Sequence, residues 1–157
     1  MTQWQYRELC RLGVAEHFGL KLQDVQTRRI PSPTRRGRVP YALSIDLVWV
    51  TENPIARYLH IAATFYHKEK MVVEMPNVLL LQQCKEQIGA HKVLLISNRP
   101  FTAAALAAAE AEGINLFVLR ALFDPEIVGA WPPESFHERL QELSKRIRPV
   151  YWMDTVC

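Results

Sequence analysis

Apolar residues recur at helical spacing along Trp4–Phe18, at Tyr6, Leu9, Leu12 and Val14, and the run stops at Gly19. That pattern predicts a first helix. Lys21–Ile30 alternates loosely, through Val25, Thr27 and Ile30, and predicts a strand. Proline and glycine punctuation from Pro31 to Pro40 marks a turn or exposed loop. Tyr41–Val50 predicts a second strand, broken by Glu52-Asn53-Pro54, and Arg57–Tyr66, rich in β-branched and aromatic residues, a third. Beyond it the period changes. Met75–Ile88 predicts a helix ending at Gly89, and Lys92–Ser97 a short, almost wholly apolar strand of the kind buried on both faces. Thr102–Glu112 is an alanine-rich helix stopped by Gly113, followed by a second buried-type strand at Asn115–Leu119. A polar helix at about 134–147 lies between Pro132-Pro133 and Pro149.

Three strands in a meander, then two αβ units in succession, predict an α/β fold: a central mixed sheet with a parallel pair and helices on both faces. The 157 residues are read as one domain, 1–157, with a core large enough to fold without metal or disulfide staples. Apolar residues make up 49% and charged residues 22%, which excludes a disordered or collagenous chain. Stretches such as Ala103–Ala109 fall far short of the roughly 20 residues that span a bilayer. The first eight residues lack a basic-then-apolar leader layout, so the expectation is a cytoplasmic protein with no membrane partner. Cys10, Cys84 and Cys157 form no CxxC pair, and the first two fall in helical segments as small hydrophobes.

Charge adds a local feature. The net charge of +3 is mild, but Arg28, Arg29, Arg35, Arg36 and Arg38 put five arginines into eleven positions. This basic loop, 28–40, is suited to phosphate contact, and equally to keeping an exposed loop solvated. Asp46 lies inside Ala42–Val50, a run otherwise made for burial. A buried carboxylate is costly unless paired or bound to a metal. The turn Ser97–Thr102 carries Arg99 before a helix start, with Thr102 as its N-cap, and no phosphate-binding glycine motif is present.

The order of elements, with an acidic residue on the second strand, resembles the restriction endonuclease-like fold of the PD-(D/E)XK nucleases, and most of all their Mrr-type branch. The matching pieces are Glu8 in the first helix, Ser44-Ile45-Asp46-Leu47-Val48, Leu59-His60-Ile61-Ala62-Ala63-Thr64-Phe65-Tyr66, and Lys92–Leu119. In the last, a strand ends in a serine-containing turn, and Phe101-Thr102 opens the alanine-rich helix. The resemblance implies a three-layer α/β/α sandwich and DNA as partner. Active members carry Glu-X-Lys or Gln-X-Lys on the third strand, where the acid or amide helps hold Mg²⁺ and the lysine positions the attacking water. Here those positions are Ala62 and Thr64. Alanine cannot ligate a metal, and threonine supplies no positive charge.

Three functions follow as expectations. The first is a DNA-binding protein on this fold with a degenerate catalytic site. Arg28, Arg29, Arg35, Arg36, Arg38 and Arg99 would contact the nucleic acid. The second is an active Mg²⁺-dependent endonuclease with a relocated site. Asp46 with Glu8 or Glu74 would hold the metal, while His60 or Lys68 served as base or cation. Gln82, Gln83 and Gln87 on the second long helix are candidate polar residues facing that site. The third is a non-enzymatic dimerisation or interaction module with no metal, in which a homodimer would bury the face of His60 and Thr64; Trp131, Tyr151 and Trp152 suit either core packing or cover of an apolar dimer surface.

Overall fold

The computed structural model describes residues 1–31, 44–67, 72–125, 128, 131–147 and 149–156. The chain opens with α1 (Gln3–His17), followed by a single 3-10 turn at Leu22–Asp24. Strands β1 (Gln26–Pro31), β2 (Ser44–Glu52) and β3 (Arg57–Phe65) then form an antiparallel meander. Helix α2 (Met75–Ile88) leads to β4 (Lys92–Ser97), and α3 (Ala103–Glu112) to β5 (Asn115–Ala121). A 3-10 turn at Pro133–Ser135 runs into α4 (Phe136–Arg146), and β6 (Tyr151–Thr155) closes the order.

The six strands lie side by side in sequence order, β1-β2-β3-β4-β5-β6. β3, β4 and β5 are parallel to one another, and β6 returns antiparallel to β5. The parallel pairing follows from the two αβ crossovers, which a hairpin could not replace. Helices cover both faces, giving a three-layer α/β/α sandwich. Among the described residues, no helix is long and apolar enough to cross a membrane.

Two cores result. On one face Tyr6, Leu9, Cys10 and Val14 of α1, with Phe136 and Leu140 of α4, pack on Leu47, Trp49, Ala62, Ile96, Phe117 and Leu119. On the other, Val78, Leu81 and Cys84 of α2 and Ala105 and Ala109 of α3 pack on Ile45, Ile61, Ala63, Val93, Leu95 and Leu116. The alanines let α3 lie close to the strands. On the first face Gly13 does the same for α1, since a Cβ there would stand 2.6 Å from Leu119 Cδ1. Gly89 ends α2 at φ 75°, a left-handed cap that its missing side chain permits.

Several sequence expectations change. The strand expected at Lys21–Ile30 is a 3-10 turn plus the shorter β1, because Leu22–Asp24 closes a turn in which Val25 N–H donates to Leu22 O. The second strand is described from Ser44 and runs on to Glu52, two residues past the expected end; residues 41–43 lie outside the described set. Trp131 and Tyr151 pack against the core under α1, whereas Trp152 is exposed on edge strand β6, paired in register with Arg120. Cys10 and Cys84 are buried free thiols, as expected of small hydrophobes; Cys157 lies outside the described residues.

Candidate functional site

Asp46 sits where the sheet is irregular on both sides. Between β1 and β2 the register slips: Thr27 pairs with Leu47 and Ile30 with Ile45, so Arg28 and Arg29 together oppose Asp46. Two residues against one is a β-bulge, a device that re-aims side chains next to functional sites. Toward β3 the ladder runs from Glu52↔Arg57 to Leu47↔Ala62. Just beyond its end, Thr64 N–H donates to Asp46 Oδ2 at 2.9 Å, and the Thr64 hydroxyl donates to the same oxygen at 3.0 Å. The carboxylate thus takes a main-chain donor that a continued ladder would have paired with a carbonyl.

The irregularity also turns the side chain. Ile45 belongs to the core under α2 and α3, whereas Leu47 belongs to the core under α1. Asp46, bonded to the Thr64 hydroxyl, lies on the α1 side as well. Adjacent residues on one face break the strict alternation of a strand. Helix α1 completes the cluster through Gln3. Its Nε2 donates to Thr64 O at 2.9 Å and to Thr64 Oγ1 at 3.1 Å, while its Oε1 accepts Tyr66 N–H at 2.9 Å. Asp46 is 8% and Thr64 5% exposed, so their two hydrogen bonds are removed from water, while Gln3 joins them from the exposed side. Beneath it, burial pushes the Cys10 thiol up; the hydrogen bond with Tyr6 opposes the shift, and the Asp46 charge adds to it. Burial likewise raises the Tyr6 phenol, whose hydroxyl donates to Leu119 O at 2.8 Å.

The other anticipated residues go elsewhere. Glu8 is 5% exposed and turns to His137 Nε2 at 3.1 Å and to Arg7 and Arg11 at 3.5 Å. Arg11 in turn donates to Val25 O and Leu22 O. Glu8 therefore fastens α1 to α4 and to the turn before β1. His60 stacks on its cross-strand partner Trp49 at 5.2 Å and 8° and shares a 2.8 Å hydrogen bond with Thr51 Oγ1. It stands four residues before Thr64 on the same strand face, about 13 Å away at the usual rise. Burial, with Lys92 and His91 nearby, lowers its pKa and favours the neutral ring.

Glu74 precedes α2, and its N–H donates to Asn77 Oδ1 at 3.2 Å. The glutamine expectation is corrected. Gln82, Gln83 and Gln87 belong to α2, which packs on the opposite face of the sheet from Thr64 and Gln3. Thr102 caps α3 by accepting Ala105 N–H, as expected. Arg28 is exposed beside the bulge. The Arg29 side chain and residues Arg35, Arg36, Arg38 and Lys68 lie outside what is described. Arg99 lies just past the end of β4, half-buried.

Mg²⁺ binds through one or two carboxylates with water and phosphate oxygens in octahedral array. Among the described residues no group of three or more His, Cys, Asp or Glu side chains could hold a metal ion. The Oδ2 of Asp46 is turned to two protein donors, and Ala62 and Thr64 add no anionic ligand. This donor set does not fit the ion. Gln3, the residue that joins α1 to Thr64 and Tyr66, went unremarked in the sequence because its partners lie 61 and 63 positions away.

Comparison with known proteins gives the fold a parallel. No family model matches the chain, and no curated protein matches it. A solved crystal structure of a protein of unknown function, AF1548, superposes with a TM-score of 0.54 at 13% identity. The match covers 92% of this chain and 98% of that one. At that identity the likeness concerns the fold alone.

Proposed function

We propose that the chain is a DNA-binding protein built on a restriction endonuclease-like sheet that does not cut DNA. The observation that carries this reading is the hydrogen-bond set that joins Asp46, Thr64 and Gln3. The resembled nucleases would place a metal-bound carboxylate and a lysine here. Instead a threonine gives its N–H and hydroxyl to the carboxylate, and an amide from α1 holds the threonine. A hydroxyl and a methyl group can neither neutralise charge developing on a phosphate nor activate water, the two tasks that phosphodiester cleavage requires.

Support for DNA as partner comes from the arginines. Arg28 is exposed at the bulge that opposes Asp46 and leads into the basic stretch of the sequence. Phosphate neutralisation by such residues releases counterions, so affinity must fall as salt rises. Titrating duplex DNA across about 50 to 200 mM salt tests the reading. The expected log–log plot is linear, with a slope of about −0.9 per phosphate contacted. Absence of binding at the low-salt end overturns the proposal.

A further inference from the structure

The three parallel strands end at one place. Tyr66 and His67 follow β3, Asn98 and Arg99 follow β4, and Arg120 and Ala121 finish β5. Together with Tyr6, Pro100 and Pro125 they line a cleft of about 440 Å³. The volume lies within the roughly 300–1,000 Å³ of small-molecule sites. The carboxyl ends of parallel strands are also where α/β sheets bind ligands. Two cationic side chains face this space. Arg99 has a buried Nε with no hydrogen-bond partner, and among the described residues neither Arg99 nor Arg120 is ion-paired with a carboxylate. Arg120 is held over the Trp152 ring at 5.9 Å.

His67 is the third donor. Its backbone is fixed at both ends by Asn98, which accepts His67 N–H at 2.9 Å and donates to His67 O at 2.8 Å. Its ring stacks on Phe65. Burial and the Arg99 charge lower the His67 pKa, so the ring stands neutral with an N–H to offer.

We propose that this cleft binds a phosphate monoester, with Arg99 and Arg120 gripping the phosphate and His67 donating a third hydrogen bond. Two guanidinium charges are matched by a dianion rather than by a single carboxylate. Planar guanidinium forks also fit tetrahedral phosphate oxygens two at a time. The space left beside Tyr66, Pro100 and Pro125 accommodates the organic part of the ester. Such a group is carried by a free nucleotide and by the phosphorylated end of a polynucleotide alike. The inference goes beyond the DNA-binding reading, because an internal phosphodiester has one charge and two ester arms and does not meet this description.

The test uses the full chain and calorimetric titration with AMP, adenosine and inorganic phosphate. Alongside, a single-stranded oligonucleotide with a 5′-phosphate is compared with the same strand ending in a 5′-hydroxyl. AMP is expected to bind saturably and adenosine at least about tenfold more weakly, the loss of one or more charged hydrogen bonds. Inorganic phosphate should compete with AMP. Arg120→Gln, a change at an exposed position, and Arg99→Gln should each weaken AMP by a similar factor. A preference for the phosphorylated strand end assigns the cleft to the polymer. AMP binding without that preference assigns it to a free ester, and either outcome upholds the site. Equal affinity for AMP and adenosine, no AMP binding, or undiminished AMP binding by Arg120→Gln overturns it. Duplex affinity in the same buffer is read separately, so the DNA-binding proposal stands or falls on its own.

Discussion

The two layers that cover the sheet bury different chemistry. Under α2 and α3 the contacts are aliphatic, from Val78, Leu81, Ala105 and Ala109 to Ile61, Ala63, Leu95 and Leu116. Under α1 and α4 an equally packed core also encloses Gln5, Glu8, Asp46 and Thr64. Each of those four is answered by a partner distant in sequence: Gln5 donates to Val128 O, Glu8 meets His137, and Asp46 meets Thr64. Burying polar groups stabilises nothing unless their bonds are made, and half-made networks are worse than apolar contact. The difference teaches a division of labour. In one layer helices and strands meet through apolar contacts, and its buried Asn77 bonds within its own helix start, to Glu74, whereas the other layer fixes the positions of particular polar atoms beside a bulge and a strand-end cleft.

The largest expected effect lies on the aliphatic side. Leu81→Ala removes a fully buried side chain from that core, and the protein should lose about 2–5 kcal/mol of stability in urea unfolding. DNA affinity per folded molecule should stay unchanged, since nothing polar has moved. An affinity loss matching the stability loss would erase the distinction between the layers.

A smaller loss is expected on the polar side. Asp46→Ala leaves the Thr64 N–H and hydroxyl without their acceptor in a buried place, for about 1–3 kcal/mol in the same unfolding experiment. Asp46→Asn keeps an acceptor oxygen and should lose less. Equal losses for the two variants would mean that hydrogen bonding to Thr64 is not what Asp46 contributes.

The smallest effect concerns pH. Burial lowers the His60 pKa below its ordinary 6.5, so the unfolded chain takes up this proton first. The His60 contribution to stability is present above pH 6.5 and is lost as pH falls through the lower folded value. Thermal midpoints followed from pH 7.5 down to about 5 should therefore decline less steeply in His60→Phe than in the parent chain. An identical slope would place the titration elsewhere, with His67 the next group to replace, because burial and Arg99 lower it too.

Much of the architecture was legible in the chain. The switch from alternating to helical apolar spacing near Met75, the stop at Gly89 and the alanine run of α3 each express local physics, and each element stands where its pattern put it. β6 was missed: three apolar residues in a row, Tyr151-Trp152-Met153, followed by Asp154-Thr155, give no apolar–polar alternation to read. The layer occupied by α2 was open to inference. Parallel crossovers are almost always right-handed, so successive helices share a face while strand order runs in one direction. That rule sets Gln82, Gln83 and Gln87 away from α1.

That Asp46 needs a partner was legible from its apolar run, but that the partner is Thr64 was not. The bulge at Arg28 and Arg29, the early end of the β2–β3 ladder and the reach of Gln3 are products of register. Register arises between strands rather than within them. Glu8 shows the same limit. An acid on a helix reads as solvated until the fold brings His137 against it.

The central claim is that hydrogen bonding to Thr64 has taken the place of a cutting centre around Asp46. Incubating the protein with supercoiled plasmid in Mg²⁺ or Mn²⁺, at a salt concentration where duplex binding is seen, tests it most directly. The account predicts bound but uncut plasmid, for the parent chain and for Asp46→Ala alike. Metal-dependent nicking by the parent chain that disappears in Asp46→Ala would contradict it.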